Sequence, residues 1–189
     1  MYYEPIQVKL KNDVDAEITD IKPEYQNDMI SNYFTVFDEI ERGKSKYGSD
    51  VGILLSYTKE SYEEEVAWFN KKLQKIENDE QIARVAVVAG HPVGLVDIRK
   101  GGLGRRHMGE IGIFIRKDYR GMGVGKALME DVLKLAKGWV KIAVLSVFEE
   151  NKAAYNLYKK LGFEEYGRLE DAIELRNKKI TEIWMYKRL

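Results

Sequence analysis

One stretch constrains this chain more than any other. Ile111-Gly112-Ile113-Phe114-Ile115, an apolar strand, runs into Arg120-Gly121-Met122-Gly123-Val124-Gly125-Lys126-Ala127-Leu128, which opens a helix. In that helix Leu128, Val132, Leu135 and Ala136 recur at i, i+4, i+7 and i+8 and define one buried face. Three glycines at alternate positions keep side chains out of the path of a ligand. The free amides of the helix start then point outward, with the positive end of the helix dipole behind them. Arg120 and Lys126 flank them, so the turn is suited to an anion. Spacing excludes two common phosphate sites. A nucleotide P-loop needs glycine, four residues, then Gly-Lys-Ser/Thr; here Arg120 stands in place of the leading glycine and Ala127 follows Lys126. A dinucleotide fingerprint needs a glycine three residues after Gly123, where the chain has Lys126.

Charge distribution points the same way. The net charge is zero, which argues against a protein that coats nucleic acid. Residues 1–80 nevertheless hold 18 acids and 10 bases, while residues 81–126 hold nine bases and three acids. A basic middle segment suits a small polyanion, and an acidic first part favours a cationic partner. Uneven solvated surface charge is the plainer account of the same numbers. There is no cysteine, so disulfides and thiolate metal sites are excluded. His91 and His107 stand apart in sequence, and no metal site is expected. No apolar run approaches the roughly 20 residues of a membrane span, and the start lacks signal-peptide features. A cytoplasmic setting is expected, with no membrane or nucleic-acid partner.

The 189 residues suit one domain over 1–189, with residues 1–13 as an N-terminal extension. Short strands are expected at Val8–Leu10 and Ala16–Lys22, then a helix from Pro23 to about Glu41. A polar loop covers residues 42–50. Ser61 and Glu64 have capping-box spacing, which starts a second helix ending near Ile76. Strands at Ile82–Ala89 and Val93–Arg99 are joined by a Gly90-His91-Pro92 turn. A third strand covers Glu110–Arg116, and the helix after the glycine turn reaches about Lys137. A strand at Lys141–Phe148 precedes a helix from Asn151 to Leu161, stopped by Gly162. Strands near Glu164–Leu175 and Ile180–Lys187 flank a polar turn at 176–179. The fold class is therefore α+β, a central mixed sheet of about seven strands with helices on both faces.

Arg-x-x-Gly-x-Gly after such a strand resembles the signature with which the GNAT superfamily of acetyltransferases holds the pyrophosphate of acetyl-CoA. Downstream, Asn151-Lys152-Ala153-Ala154-Tyr155-Asn156-Leu157-Tyr158-Lys159-Lys160-Leu161-Gly162-Phe163 is similar to the family's second signature: Asn, two residues, Ala, then Tyr-x-Lys-x-Gly-Phe. The tail Glu182-Ile183-Trp184-Met185 is similar to the final strand of amino-terminal and small-amine acetyltransferases. The resemblance covers residues 82–189 well and 14–76 in outline.

It implies a GNAT fold whose strands 110–115 and 141–148 splay at their C-terminal ends to admit pantetheine. The implied cofactor site comprises Ile113, Phe114, Ile115, Arg120, Gly121, Met122, Gly123, Val124, Gly125, Lys126, Asn151, Ala154, Tyr155, Tyr158 and Lys160. Main-chain groups of Ile113 and Ile115 would pair with the pantetheine amides, and an amide near Ile113 would polarise the thioester carbonyl. Tyr158 would protonate the departing thiolate; the alternative is a helical tyrosine packed on the sheet. Asn151 is also an ordinary helix N-cap. Glu110 resembles the catalytic glutamate of phosphinothricin-type acetyltransferases and is the candidate base, acting directly or through water; the alternative is a solvated surface glutamate.

Among the remaining features, Glu63-Glu64-Glu65 reads as a first helical turn complementing the dipole. Tyr25, Tyr33, Phe34 and Phe37 either pack the first helix on the sheet or line an acceptor cleft. Residues 101–109 form either an acceptor-side lid or a long connection. The implied function is acetyl transfer from acetyl-CoA to a primary amine of a small molecule, peptide or protein amino terminus, by a monomer or homodimer. The alternative is a catalytically inactive CoA-binding sensor or partner subunit.

Overall fold

The computed structural model describes residues 2–41, 60–175 and 178–189. One open sheet runs through it in the order β1 (Ile6–Lys9), β2 (Asp15–Asp20), β3 (Gln81–Val88), β4 (His91–Lys100), β5 (Met108–Ile115), β6 (Ile142–Phe148), β8 (Lys178–Arg188), β7 (Glu164–Leu175). Every neighbouring pair is antiparallel except β5 and β6. The sheet has eight strands rather than about seven. The short strand expected at Val8–Leu10 is β1, two residues earlier at its start, and its Ile6 to Lys9 pair with Ile18 to Asp15.

Two helices cover one face. A 3-10 turn at Pro23–Tyr25 leads into α1 (Gln26–Glu41), and α2 (Tyr62–Glu77) follows. Ser61 caps α2 through the expected box: its hydroxyl accepts from the Glu64 amide at 3.2 Å, and its own amide donates to Glu64 Oε2 at 2.7 Å. Tyr25, Met29 and Phe69 from this layer are buried against Ala83, Val85, Val87 and Leu95. The other face carries α3 (Val124–Ala136) and α4 (Lys152–Lys160). There Val124, Leu128, Val132 and Ala136 are fully buried, and Val93, Val96, Ile98 and Ile111 supply the sheet side. The period-2 alternation of strand side chains produces both interfaces.

One expectation changes. The β3–β4 hairpin turns at Ala89 and Gly90 (φ 50° and 83°), and His91 and Pro92 are already in β4. A two-residue turn with both φ values positive matches the twist of the strands, whereas a turn through Pro92, whose ring holds φ near −65°, would not. Glu63, Glu64 and Glu65 form the first turn of α2 as expected, and Glu65 is also buried, with Phe69 and Lys72, on the sheet-facing side of the helix. Residues 101–107 form a short connection with a 3-10 turn at Leu103–Arg105, closed by Gly101 N–H donating to Met108 O at 3.0 Å. The loop at 42–50 and part of the 176–179 turn lie outside the described residues.

Candidate active site

β5 and β6 share only three register pairs: Met108 with Ile142, Gly109 with Ala143, and Glu110 with Val144. Both strands continue beyond them, β5 to Ile115 and β6 to Phe148. A gap therefore opens between two strands that each keep a partner on the outer edge, β4 and β8. The direction of the β5 main chain follows from its register. Arg116 N–H donates to Val93 O at 2.9 Å, and bonded pairs alternate in an antiparallel ladder. Phe114 and Gly112 are thus bonded to Leu95 and Asp97, while the amides of Ile113 and Ile115 face the gap. Phe114 offers the gap no main-chain group. The Ile115 carbonyl is engaged differently from expectation: it accepts from Arg120 Nε–H at 2.9 Å.

The glycine turn sits at the open end of this gap. Gly121 and Gly123 have φ of 74° and 101°, the left-handed region where any other residue is strained. Gly123 is the N-cap of α3, and the first intrahelical bond runs from the Ala127 amide to Gly123 O at 3.1 Å. The amides of Val124, Gly125 and Lys126 precede it and have no intrahelical partner. Met122 is half-buried, and its carbonyl accepts from Lys11 N–H at 3.0 Å, which ties the N-terminal segment to the turn. A depression of about 500 Å³ beside the turn brings Lys9, Lys11 and Lys126 to one side of it. Gly125 has another reason to lack a side chain. A Cβ there would lie 2.9 Å from Ile115 Cδ1 and 3.4 Å from Leu157 Cδ2, so its absence lets α3 close onto β5 and α4.

α4 returns along β6 from the open end. Asn151 caps it, accepting from the Ala154 amide at 2.9 Å. Tyr155, one helical turn further, bonds Glu165 at 3.2 Å, and Lys160 is exposed at the far end of the helix. Tyr158 is buried at 5% exposure, in the cluster that holds Ile111, Leu145, Val147 and Phe163, with Ile113 and Ile115 packed against it. Its ring centroid is 6.0 Å from that of Phe163. Burial pushes the Tyr158 hydroxyl well above the ordinary phenol range, so it stays protonated at neutral pH.

Glu110 lies at the closed end of the gap, as the last β5 residue with a β6 partner. Its side chain is exposed on the α1–α2 face, opposite Arg99, whose Nη2 stands 3.3 Å from Glu110 Oε1. Behind Arg99 lies a buried ion pair that the sequence did not suggest. Lys72 Nζ is 2.5 Å from Asp97 Oδ2, with side-chain exposures of 5% and 9%. Burial lowers the Lys72 pKa, and the Asp97 charge opposes that shift. Further along α2, burial and the Glu60 charge push the Glu65 carboxyl up to about 7, although its bond with Tyr33 pulls the other way. Burial and Glu65 in turn push the Tyr33 hydroxyl up to about 12. Tyr25 and Phe37 are buried, while Tyr33 and Phe34 are half-buried. No set of three or more His, Cys, Asp or Glu side chains able to hold a metal occurs among the described residues, and His91 pairs with Asp28 at 3.0 Å. Among the described residues no helix is long and apolar enough to cross a membrane.

The geometry fits a thin, extended ligand with amides along its length and an anionic end at the turn. Comparison with known proteins agrees. Residues 51–163 match the model of the acetyltransferase (GNAT) family. An uncharacterized N-acetyltransferase of Methanocaldococcus jannaschii is 34% identical over 143 residues, 73% of this chain and 58% of that protein. The chain thus spans little more than half the length of that relative. An acetyltransferase of the GNAT family from Streptococcus pneumoniae has a TM-score of 0.72 at 26% identity, over 92% of this chain and 99% of that one. A Salmonella typhimurium protein solved with its cofactor acetyl-CoA shares the fold, with a TM-score of 0.72 at 13% identity over 92% of this chain and 93% of that one. With a family model matched over more than half its length, the chain belongs to the acetyltransferase (GNAT) family.

Proposed function

We propose that the protein is an N-acetyltransferase that moves an acetyl group from acetyl-CoA to a primary amine. The observation that carries this reading is the β5–β6 register, which stops after three pairs and leaves the Ile113 and Ile115 amides without strand partners inside the gap. An extended pantetheine arm completes such an edge as an added strand would. Its pyrophosphate would meet the amides of Val124, Gly125 and Lys126 at the α3 start.

Acetyl-CoA would supply an acyl carbon activated as a thioester. The Ile113 amide would donate to the thioester carbonyl oxygen, where negative charge develops as the amine nitrogen attacks the carbon. Glu110 would accept the proton that the amine loses, directly or through water. As the carbon–sulfur bond breaks, Tyr158 would give its hydroxyl proton to sulfur. The place of Tyr158 in the cluster against which Ile113 and Ile115 pack supports that role, whereas burial by itself makes its hydroxyl a weaker acid. The acidic first part of the chain, with 18 acids against 10 bases in residues 1–80, favours a cationic acceptor, either a small amine or a lysine-bearing peptide.

Thermal unfolding tests the cofactor. Saturation with acetyl-CoA or CoA should raise Tm, by an amount equivalent to about 2.7 kcal/mol at 100 Kd, while ATP and NAD give clearly smaller shifts. An unchanged Tm at saturating CoA overturns the reading. A screen of small amines and peptides, followed by release of free CoA, identifies the acceptor class.

A further inference from the structure

Glu110 is asked to hold a carboxylate in one place, yet its side chain is 69% exposed near the start of β5. A solvated glutamate there is free to swing between rotamers. The surroundings supply one fixed point. Arg99 is the cross-strand partner of Glu110 in the β4–β5 ladder, so the two side chains rise from the same face. Its guanidinium donates to Glu110 Oε1 from Nη2 at 3.3 Å, and its Nε stands 3.3 Å from Asp97 Oδ1 as an ion pair without hydrogen-bond geometry. Asp97 is two residues back on the same strand and face. Its other oxygen is held by Lys72 from α2, whose ammonium also lies 4.6 Å from the Trp68 ring centroid. Four charges therefore form one line from the buried layer to the closed end of the gap: Lys72, Asp97, Arg99, Glu110. The inner pair is sealed, and the outer pair reaches solvent.

We propose that Arg99 is a positioning residue for acetyl transfer, anchored on the buried Asp97–Lys72 pair and holding the Glu110 carboxylate at the closed end of the β5–β6 gap. The proposal rests on the reading of Glu110 as the base. Arginine suits the task because its planar guanidinium can stand between two carboxylates at once, which a lysine ammonium on a flexible stem does less well. The line also joins α2 to Glu110, so a shift of α2 would be felt at the reacting end.

The test uses Arg99 and spares Asp97, whose loss would strand a buried ammonium. Arg99→Met keeps the apolar stem and removes the fork; Arg99→Lys and Arg99→Gln serve as second variants should the first fail to fold. Kinetics are followed with acetyl-CoA and spermidine, and in parallel with a lysine-bearing peptide. Arg99→Met should lower kcat about tenfold with little change in KM for acetyl-CoA, and should alter the acidic limb of the pH profile. Arg99→Lys should recover part of the loss. In a Glu110→Gln background Arg99→Met should have no further effect. Equal losses in both backgrounds, or none in either, overturn the proposal. An unchanged rate and pH profile in Glu110→Gln alone would instead remove the base reading beneath it. A readout independent of the acceptor comes from NMR couplings of the Glu110 side chain in the acetyl-CoA complex. Wild type should show one rotamer and Arg99→Met several; a single rotamer in both overturns the proposal.

Discussion

Tyr158 and Glu65 are both buried titratable groups whose pKa burial raises. For Tyr158 that shift makes the hydroxyl a weaker acid, so a part in acetyl transfer depends on its placement in the cluster against which Ile113 and Ile115 pack. Tyr158→Phe should lower kcat by about 100-fold, the usual scale for a general acid, and leave acetyl-CoA affinity nearly unchanged. Single-turnover kinetics check this, and a near-normal chemical step would return Tyr158 to a packing role. For Glu65, folding raises the carboxyl pKa from 4.5 to about 7, mainly through burial and the Glu60 charge. The native state therefore binds more protons than the unfolded state between those values, so stability falls as pH rises from about 4.5 to about 7. Glu65→Gln keeps an acceptor for Tyr33 and removes the ionisation. Its Tm should exceed that of wild type at pH 8 and match it near pH 4; equal curves at both pH values would contradict the assignment. Neither Glu65 nor the Lys72–Asp97 pair could be read from the chain. The chain marks Glu63-Glu64-Glu65 as a first helical turn but not which of the three faces the sheet, and Lys72 meets Asp97 only through packing across 25 residues.

At the level of elements, the turn between β5 and α3 joins local conformation to ligand binding. Gly123 has φ 101° and nothing within 4 Å of a built Cβ, so a side chain there meets strain and open space rather than a core. Gly123→Asp would direct a carboxylate toward the anion position. Acetyl-CoA affinity should fall at least tenfold, or about 1.4 kcal/mol, with the far-UV spectrum retained. An unchanged titration isotherm would show that the turn serves only the chain path. Gly125 is a different case, because its missing Cβ is what permits contact with Ile115 and Leu157. The turn was legible because its requirements are local: a strand, positive-φ positions, then a helix start. So was α2, whose capping box is written in four consecutive residues. The β3–β4 turn was misread by two residues because Pro92 was taken as a turn residue, when as the second residue of β4 it opposes Val87 beside an irregularity in the ladder. The engagement of the Ile115 carbonyl by Arg120 was hidden too, since it depends on how the chain doubles back over five residues.

Across the whole molecule, one buried residue joins segments that are far apart in sequence. Arg84 on β3 is fully buried and donates to Asp131 on α3 at 2.7 Å and Asp20 on β2 at 2.5 Å. It also reaches the carbonyls of Tyr3 at 3.4 Å, Glu4 at 2.9 Å and Ile18 at 3.1 Å. Arg84→Met would take the guanidinium donors away from two carboxylates and three carbonyls. Urea unfolding should show a loss of about 3–5 kcal/mol, and a loss below about 1 kcal/mol would mean that the pairs contribute little. Nothing in the sequence marks Arg84, because its partners lie 47 and 64 residues away and meet it only when the sheet is complete. The three-pair join between β5 and β6 has a consequence at this scale as well. In hydrogen-bonding terms the sheet is two leaves, β1 to β5 and β6 to β8, stitched along a short seam at one end. A ligand lying in the open part of the seam would bond to both leaves, so the cofactor would act as the missing stretch of fabric and let strain on one leaf be carried by the other.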